Sequence, residues 1–172
     1  MSAMTRRKEI LKIISRQNTP TSATSLAKHF GVSRQSIVGD IALLRAEGHE
    51  ITATAHGYSV PKLPDENQYI GKIVCNHIPD DTIAELYSIV DLGAVILNVI
   101  IEHELYGELT GVLNMATRRD IDLFMSEIRA GEMKLLSELT NGIHIHTIAC
   151  RDKSHFEQIR DALEADGYLF QN

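Results

Sequence analysis

The residues best equipped for chemistry in this 172-residue sequence are histidines placed near a carboxylate. His144 and His146 stand two apart in the β-branched run from Ile143 to Cys150. In a strand, that spacing sends both imidazoles to one face. His77 falls near the end of an earlier strand-like run, Tyr69 to Ile78, and Glu85 lies one turn into the helical stretch that follows. Three imidazoles and one carboxylate meeting at a point suit a first-row divalent cation such as zinc, nickel or iron(II). Paired strand histidines are also common as satisfied core or edge residues, so the ligand set depends on a fold that brings all four side chains together. Cys75 shares a strand face with His77 and is an alternative to one imidazole. Such a cysteine is more often a small buried hydrophobe and stays outside the set. His103 falls at a hairpin tip, where a histidine is usually just exposed.

The elements that must position these groups follow from periodicity and turn residues. Strands are expected over 69–78, 94–102, 106–113 and 143–150. Helices are expected over 80–92, behind Asp80 or Asp81, over 117–130, and over 154–166 with Gly167 as C-cap. The order β-α-β-β-α-β-α predicts an α+β domain, a ferredoxin-like βαββαβ sheet with an extra C-terminal helix. In such a sheet the fourth strand runs antiparallel beside the first. The end of the first strand then meets the start of the fourth, which sets His77 beside His144 and His146. The helix after the first strand packs over the sheet and lowers Glu85 onto the same spot.

The rest of the sequence has a different charge. The net charge of −6 divides into +5 over residues 1–62 and −11 over residues 63–172. That asymmetry points to a nucleic-acid-facing segment joined to a domain with another task. Apolar positions place a helix over about 5–17 behind Thr5, a short helix behind Ser22 or Thr24, and a third behind Ser33 carrying Ile37, Ile41 and Leu44. The run Ile51 to Val60, with His56-Gly57 inside it, reads as a two-stranded ribbon. This order is a winged helix-turn-helix. Ser33, Arg34, Gln35 and Ser36 occupy the first turn of the recognition helix, where Gln and Arg can read base edges. Arg6 and Arg7 are placed to neutralise phosphates, and His56 to tip the wing. Pro61 to Pro64 sets a linker near residues 61–67, between a DNA-binding domain of residues 1–62 and a sensor domain of residues 63–172.

Composition excludes several classes. At 44% hydrophobic and 23% charged the chain is ordinary for a globular protein. The longest apolar run, Ala94 to Ile101, is broken by Asn98 and is far short of the ~20 residues a membrane span needs. With no signal peptide and only two cysteines, a cytoplasmic location with reduced thiols is expected.

Two resemblances sharpen this reading. The stretch Ser25 to Arg45, with Leu26-Ala27, Gly31-Val32-Ser33 and Ser33-Arg34-Gln35, resembles the winged-helix domains of bacterial repressors, including those of biotin repressor-ligases. Tyr58 after Gly57 fits as well, whereas Gly39 and His56 stand where similar repressors often carry basic residues. The segments Cys75-Asn-His77, Glu102 to Gly107, Thr117-Arg-Arg-Asp120 and Leu139 to Thr147 resemble the three-histidine domain fused to a winged helix in niacin-responsive transcriptional repressors of bacteria. Glu104 departs from that pattern, which tends to have proline after the histidine. The resemblance implies repression of niacin uptake and salvage genes, nicotinate as co-repressor, and a divalent metal held by His77, Glu85, His144 and His146.

A mechanism consistent with these residues has nicotinate meeting the metal, with Arg118 or Arg119 offering a bidentate fork to its carboxylate. Effector binding would bias a homodimer whose recognition helices lie ~34 Å apart on palindromic double-stranded operator DNA. Two rivals stand beside it: a repressor that senses the metal itself, and a metal-dependent enzyme. Against the enzyme, the sequence lacks His-Glu-x-x-His, a Gly-rich phosphate loop, a Gly-x-Ser-x-Gly elbow and a ligase-type Gly-Arg-Gly.

Overall fold

The computed structural model describes residues 2–61 and 65–171, and the chain divides into two compact units, Met1–Leu63 and Pro64–Asn172. The centre of the expected linker, residues 62–64, lies outside the described residues.

In the first unit a serine starts each helix. Ser2, Ser22 and Ser33 precede α1 (Ala3–Arg16), α2 (Ala23–Phe30) and α3 (Arg34–Ala46), and each hydroxyl accepts from the backbone N–H three residues on. The first start lies ahead of the one expected at Thr5, because Ser2 is the cap and Thr5 supplies the N–H it accepts. Ile10, Ile14, Leu26, Ile37, Ile41 and Leu44 are buried where the three helices meet. Each such burial contributes about 1.5–3 kcal/mol. The wing is the antiparallel pair β1 (Thr52–Thr54) and β2 (Gly57–Ser59). Tyr58 and Thr21 exchange both backbone hydrogen bonds at 2.9 Å, which ties the wing to the segment before α2. Gly57 permits that approach: at φ +130° its added Cβ would lie 2.4 Å from the Thr21 backbone.

The second unit runs β3 (Tyr69–Asn76), a 3-10 turn (Pro79–Asp81), α4 (Thr82–Asp91), β4 (Val95–His103), β5 (Gly107–Met115), α5 (Arg118–Ala130), a second 3-10 turn (Leu136–Thr140), β6 (Ile143–Cys150) and α6 (Lys153–Ala165). The α+β class and the βαββαβα order are those expected. The helix expected over 80–92 instead opens as a 3-10 turn, and the turn over 136–140 was not anticipated.

The strand order is β3-β6-β4-β5, antiparallel throughout. Two β-α-β units interleave as in a ferredoxin-like sheet, but centre and edge are exchanged. The fourth and second strands occupy the middle here, where a ferredoxin-like sheet has the first and third. Burial accounts for this. From His144 onward β6 has no exposed residue, and β4 has none from Val95 to Ile101, whereas β3 alternates and β5 exposes Glu108, Thr110 and Asn114. Strands covered on both faces go to the middle. The pairing on which the histidines depend is kept, with Cys75 opposite His144 and Ile73 opposite His146. Leu86 and Ile89 of α4, Ile121 of α5 and Ile159 of α6 share one core with Ile73, Ile96 and Ile148. A bulge between Ile96 and Asn98 shifts β4 against both its neighbours. Among the described residues, no helix is long and apolar enough to cross a membrane.

Candidate metal centre and nucleic-acid interface

Glu85 sits in the first turn of α4, fully buried beneath the end of the sheet where β3 finishes and β6 begins. Three imidazoles converge on its carboxylate. His77 Nε2 lies 2.6 Å from Oε2, His144 Nε2 lies 3.0 Å from Oε1, and His146 Nε2 lies 3.2 Å from Oε1. All four side chains are 1–4% exposed. The rings stack edge to face, His77 on His144 at 4.9 Å and His144 on His146 at 4.8 Å, with Tyr168 closing over His77 at 5.6 Å. The structure thus brings together the four residues that the sequence singled out.

The far side of each ring fixes its chemistry. His77 Nδ1 donates to the Ile78 carbonyl at 2.8 Å, His144 Nδ1 to Gly142 at 2.7 Å, and His146 Nδ1 to Asn98 at 2.8 Å. A carbonyl only accepts, so each Nδ1 carries a proton and each Nε2 is the nitrogen offered to the centre. Neutral rings in this tautomer would aim three lone pairs at a carboxylate. The arrangement therefore calls for positive charge in the middle, either as ring protons or as a cation. His146 Nε2 is buried and lacks a hydrogen-bond partner, although it lies within ion-pair distance of Glu85.

Electrostatics agree. Burial pushes the Glu85 carboxyl up, but the charge of His146 and the hydrogen bonds from His144 and His77 outweigh it and hold the carboxyl well below its usual range. Burial pulls His77 and His146 down, yet the Glu85 charge and hydrogen bonding leave both raised. A carboxylate approached by three Nε2 atoms, one of them without a hydrogen-bond partner, has the donor chemistry of a first-row divalent-cation site, and among the described residues the donor atoms of Cys75, Glu85 and His144 lie within 4.8 Å of one another.

Three supporting positions escaped the sequence reading. Asn98, placed by the bulge, accepts from His146 on its carbonyl and from the Thr147 N–H on its side chain. Ile78 contributes only its carbonyl. Gly142, at φ +97°, has no room for a Cβ, which would lie 2.4 Å from the His77 carbonyl oxygen. The Asn141-Gly142 dipeptide was a readable turn signal; the role of its carbonyl was not. Beside the centre, a hollow of about 590 Å³ is bounded by the 76–79 segment, with His77, and by Ser137, Glu138, Asn141 and Gly142.

Of the two arginines expected at an effector, Arg118 has another partner. Arg118 forms a two-point ion pair with Asp91 and lies over the Tyr87 ring at 4.3 Å, on the exposed start of α5. Arg119 is exposed beside it. Neither lines the hollow beside His77. His103 sits at the hairpin end of β4 and accepts the backbone N–H groups of Leu105 and Tyr106.

In the first unit, Arg34 and Gln35 are exposed on the opening turn of α3. Arg34 and His56 line one hollow of about 260 Å³ with Ser22, Thr24 and Thr54, so the recognition helix and the wing tip share a concave surface. Ser33 and Ser36 are joined hydroxyl to hydroxyl at 2.9 Å and hold the helix start. Arg6 and Arg7, expected to neutralise phosphates, are engaged within the protein. Arg6 Nε lies 2.6 Å from Asp40, a buried carboxylate in the middle of α3, and Arg7 reaches Asp40 at 3.9 Å and Glu47 at 3.8 Å. They lock α1 to α3.

Comparison with known proteins covers both units. Residues 6–59 match the helix-turn-helix domain model and residues 70–172 match the 3H domain model. The chain is 37% identical to the transcription repressor NadR of Bacillus subtilis, over 97% of this chain and 94% of that protein. It is 34% identical to the probable transcription repressor NiaR of Thermotoga maritima, over 96% and 94% respectively.

Proposed function

The chain belongs to the family of the NadR and NiaR transcription repressors, and from that premise we propose that it represses nicotinate uptake and salvage genes, with nicotinate as co-repressor and a divalent transition metal in its sensor unit. It is a DNA-binding repressor of NAD and niacin metabolism and not an enzyme. The observation that carries the finer reading is the convergence of three Nε2 atoms on Glu85, each ring held from behind by a backbone carbonyl.

In this reading Arg34 and Gln35 meet base edges in the major groove, while Ser33 and Ser36 keep the helix start in place. His56 carries the wing tip against the backbone. The chain acts in the cytoplasm as a homodimer, since a palindromic operator mirrors a two-fold protein. His77, Glu85, His144 and His146 hold the metal, and the Nδ1 hydrogen bonds fix which nitrogen each ring presents. When bound, the metal supplies a Lewis-acid position for the carboxylate or ring nitrogen of nicotinate. The hollow beside His77 has a volume within the ordinary range for small-molecule sites. Its polar lining is the amides of Asn76 and Asn141, the Ser137 hydroxyl, His77 and the Glu138 carboxylate. The amides and the hydroxyl take the orienting role first given to Arg118 and Arg119, and the ring nitrogen end of nicotinate is the end that suits Glu138.

A gel-shift titration on a duplex that the protein selects from a random-sequence pool tests this. Binding is expected to be weak for metal-free protein and tightened by nicotinate only when metal is present. Equal affinity with and without nicotinate, in the presence of metal, would sink the co-repressor role. Full tightening by metal alone would turn the protein into the metal sensor.

A further inference from the structure

Cys75 is the one group at this centre for which the repressor reading has no use. Register fixes its place: it is paired with His144 across β3 and β6, on the helix-covered side of the sheet, and fully buried. One donor atom each from Cys75, Glu85 and His144 lies within 4.8 Å of the other two. A single first-row cation spans such a set at metal–donor distances of about 2.0–2.3 Å. His146 Nε2, buried and without a hydrogen-bond partner, lies 3.2 Å from Oε1 of the same Glu85 carboxylate and so faces the same space.

Charge supplies a further argument. Three neutral imidazoles and one carboxylate around a divalent ion leave a net charge of +1 in a site whose side chains are at most 4% exposed. An uncompensated charge in so dry a place is costly. Before any effector binds, one more anionic donor brings the set to neutrality, and among the described residues Cys75 has a donor atom within 4.8 Å of those of Glu85 and His144.

We propose that Cys75 Sγ is a direct metal donor, which makes this a thiolate centre as well as a three-histidine one. The proposal rests on the metal reading given above. On binding, the Sγ–H bond breaks, its proton leaves to solvent and an Sγ–metal bond forms, with no electron transferred. A thiolate donor favours zinc, cobalt, nickel or iron(II) over magnesium and calcium.

The test loads the metal-stripped full chain with cobalt(II) and records its absorption spectrum. Visible d–d bands should be accompanied by a near-ultraviolet thiolate-to-cobalt charge-transfer band. That band should fall at least tenfold in Cys75→Ser and persist in Cys150→Ser. Visible bands without charge transfer would overturn the thiolate donor while leaving the histidine and glutamate site standing. Absence of cobalt uptake would overturn both. Charge transfer lost in Cys150→Ser, and not in Cys75→Ser, would overturn the assignment to Cys75. The sequence has only these two cysteines, so the wild type and Cys150→Ser decide even if Cys75→Ser does not fold.

Discussion

Each unit of this protein buries one carboxylate among nitrogen bases, and the two differ in which bases they are. Asp40 in α3 is met by Arg6 and Arg7, and Glu85 in α4 by His77, His144 and His146. A guanidinium is charged at every accessible pH, so the first cluster is a permanent tie between two helices. An imidazole gives up its proton near neutrality and then offers a lone pair. The second cluster can therefore exchange protons for a cation. Similar local geometry yields a fastener in the first unit and a titratable cluster in the second.

The largest effect that would separate the two clusters is expected from Glu85→Gln. It leaves three buried rings without their anion and should weaken metal uptake by more than 100-fold by equilibrium dialysis. Next comes Gly142→Ala, whose Cβ collides with the His77 carbonyl. Displacing the support of two ligand rings should cost 10–100-fold in metal affinity by the same measurement. Asp40→Asn should lower the melting temperature of the first unit by several degrees and leave metal affinity unchanged. A change in metal affinity would break the separation of roles.

The pH dependence sharpens the contrast. His77 and His146 are raised above the ordinary 6.5, so the stability they give the metal-free sensor is complete below 6.5 and is lost as pH rises through their folded values. Glu85 is lowered from 4.5, so its contribution is present above 4.5 and is lost as pH falls through its folded value. Calorimetry of the metal-free chain should show the sensor most heat-stable between about 4.5 and 6.5 and less so toward alkaline pH. The gain in stability on adding zinc should run the other way, because metal competes with the ring protons. The smallest effect is expected from Arg118→Ala. Its exposed pair with Asp91 contributes little, and both melting temperature and nicotinate response should match the wild type.

What could be read ahead of the structure was what local pattern encodes. Ser33 before an apolar periodicity and His144-x-His146 on a strand needed no tertiary knowledge. Glu85 fell into place because the pairing of the first and fourth strands was anticipated correctly. The rest of the strand order was harder, since both arrangements satisfy the same alternation within each strand. It was set by which strands are buried on both faces. The tie from Arg6 to Asp40 spans 34 residues and has no local signature. The groups behind the imidazoles are backbone carbonyls of Ile78, Gly142 and Asn98, and a carbonyl does not register in residue type. Asn98 was visible as a polar break in an apolar run, but its purpose depends on a bulge that only register reveals.

On the proposed reading, Nε2 of His77, His144 and His146 forms a single metal-binding face while each Nδ1 stays protonated on a carbonyl. Long-range proton–nitrogen NMR of the imidazoles during zinc titration reads both nitrogens of every ring. The prediction is that the three Nε2 resonances shift together, saturating at one zinc per chain, with all three Nδ1 signals still protonated. Nε2 resonances that do not move with zinc, or a bound Nδ1 in any of the three rings, would contradict it.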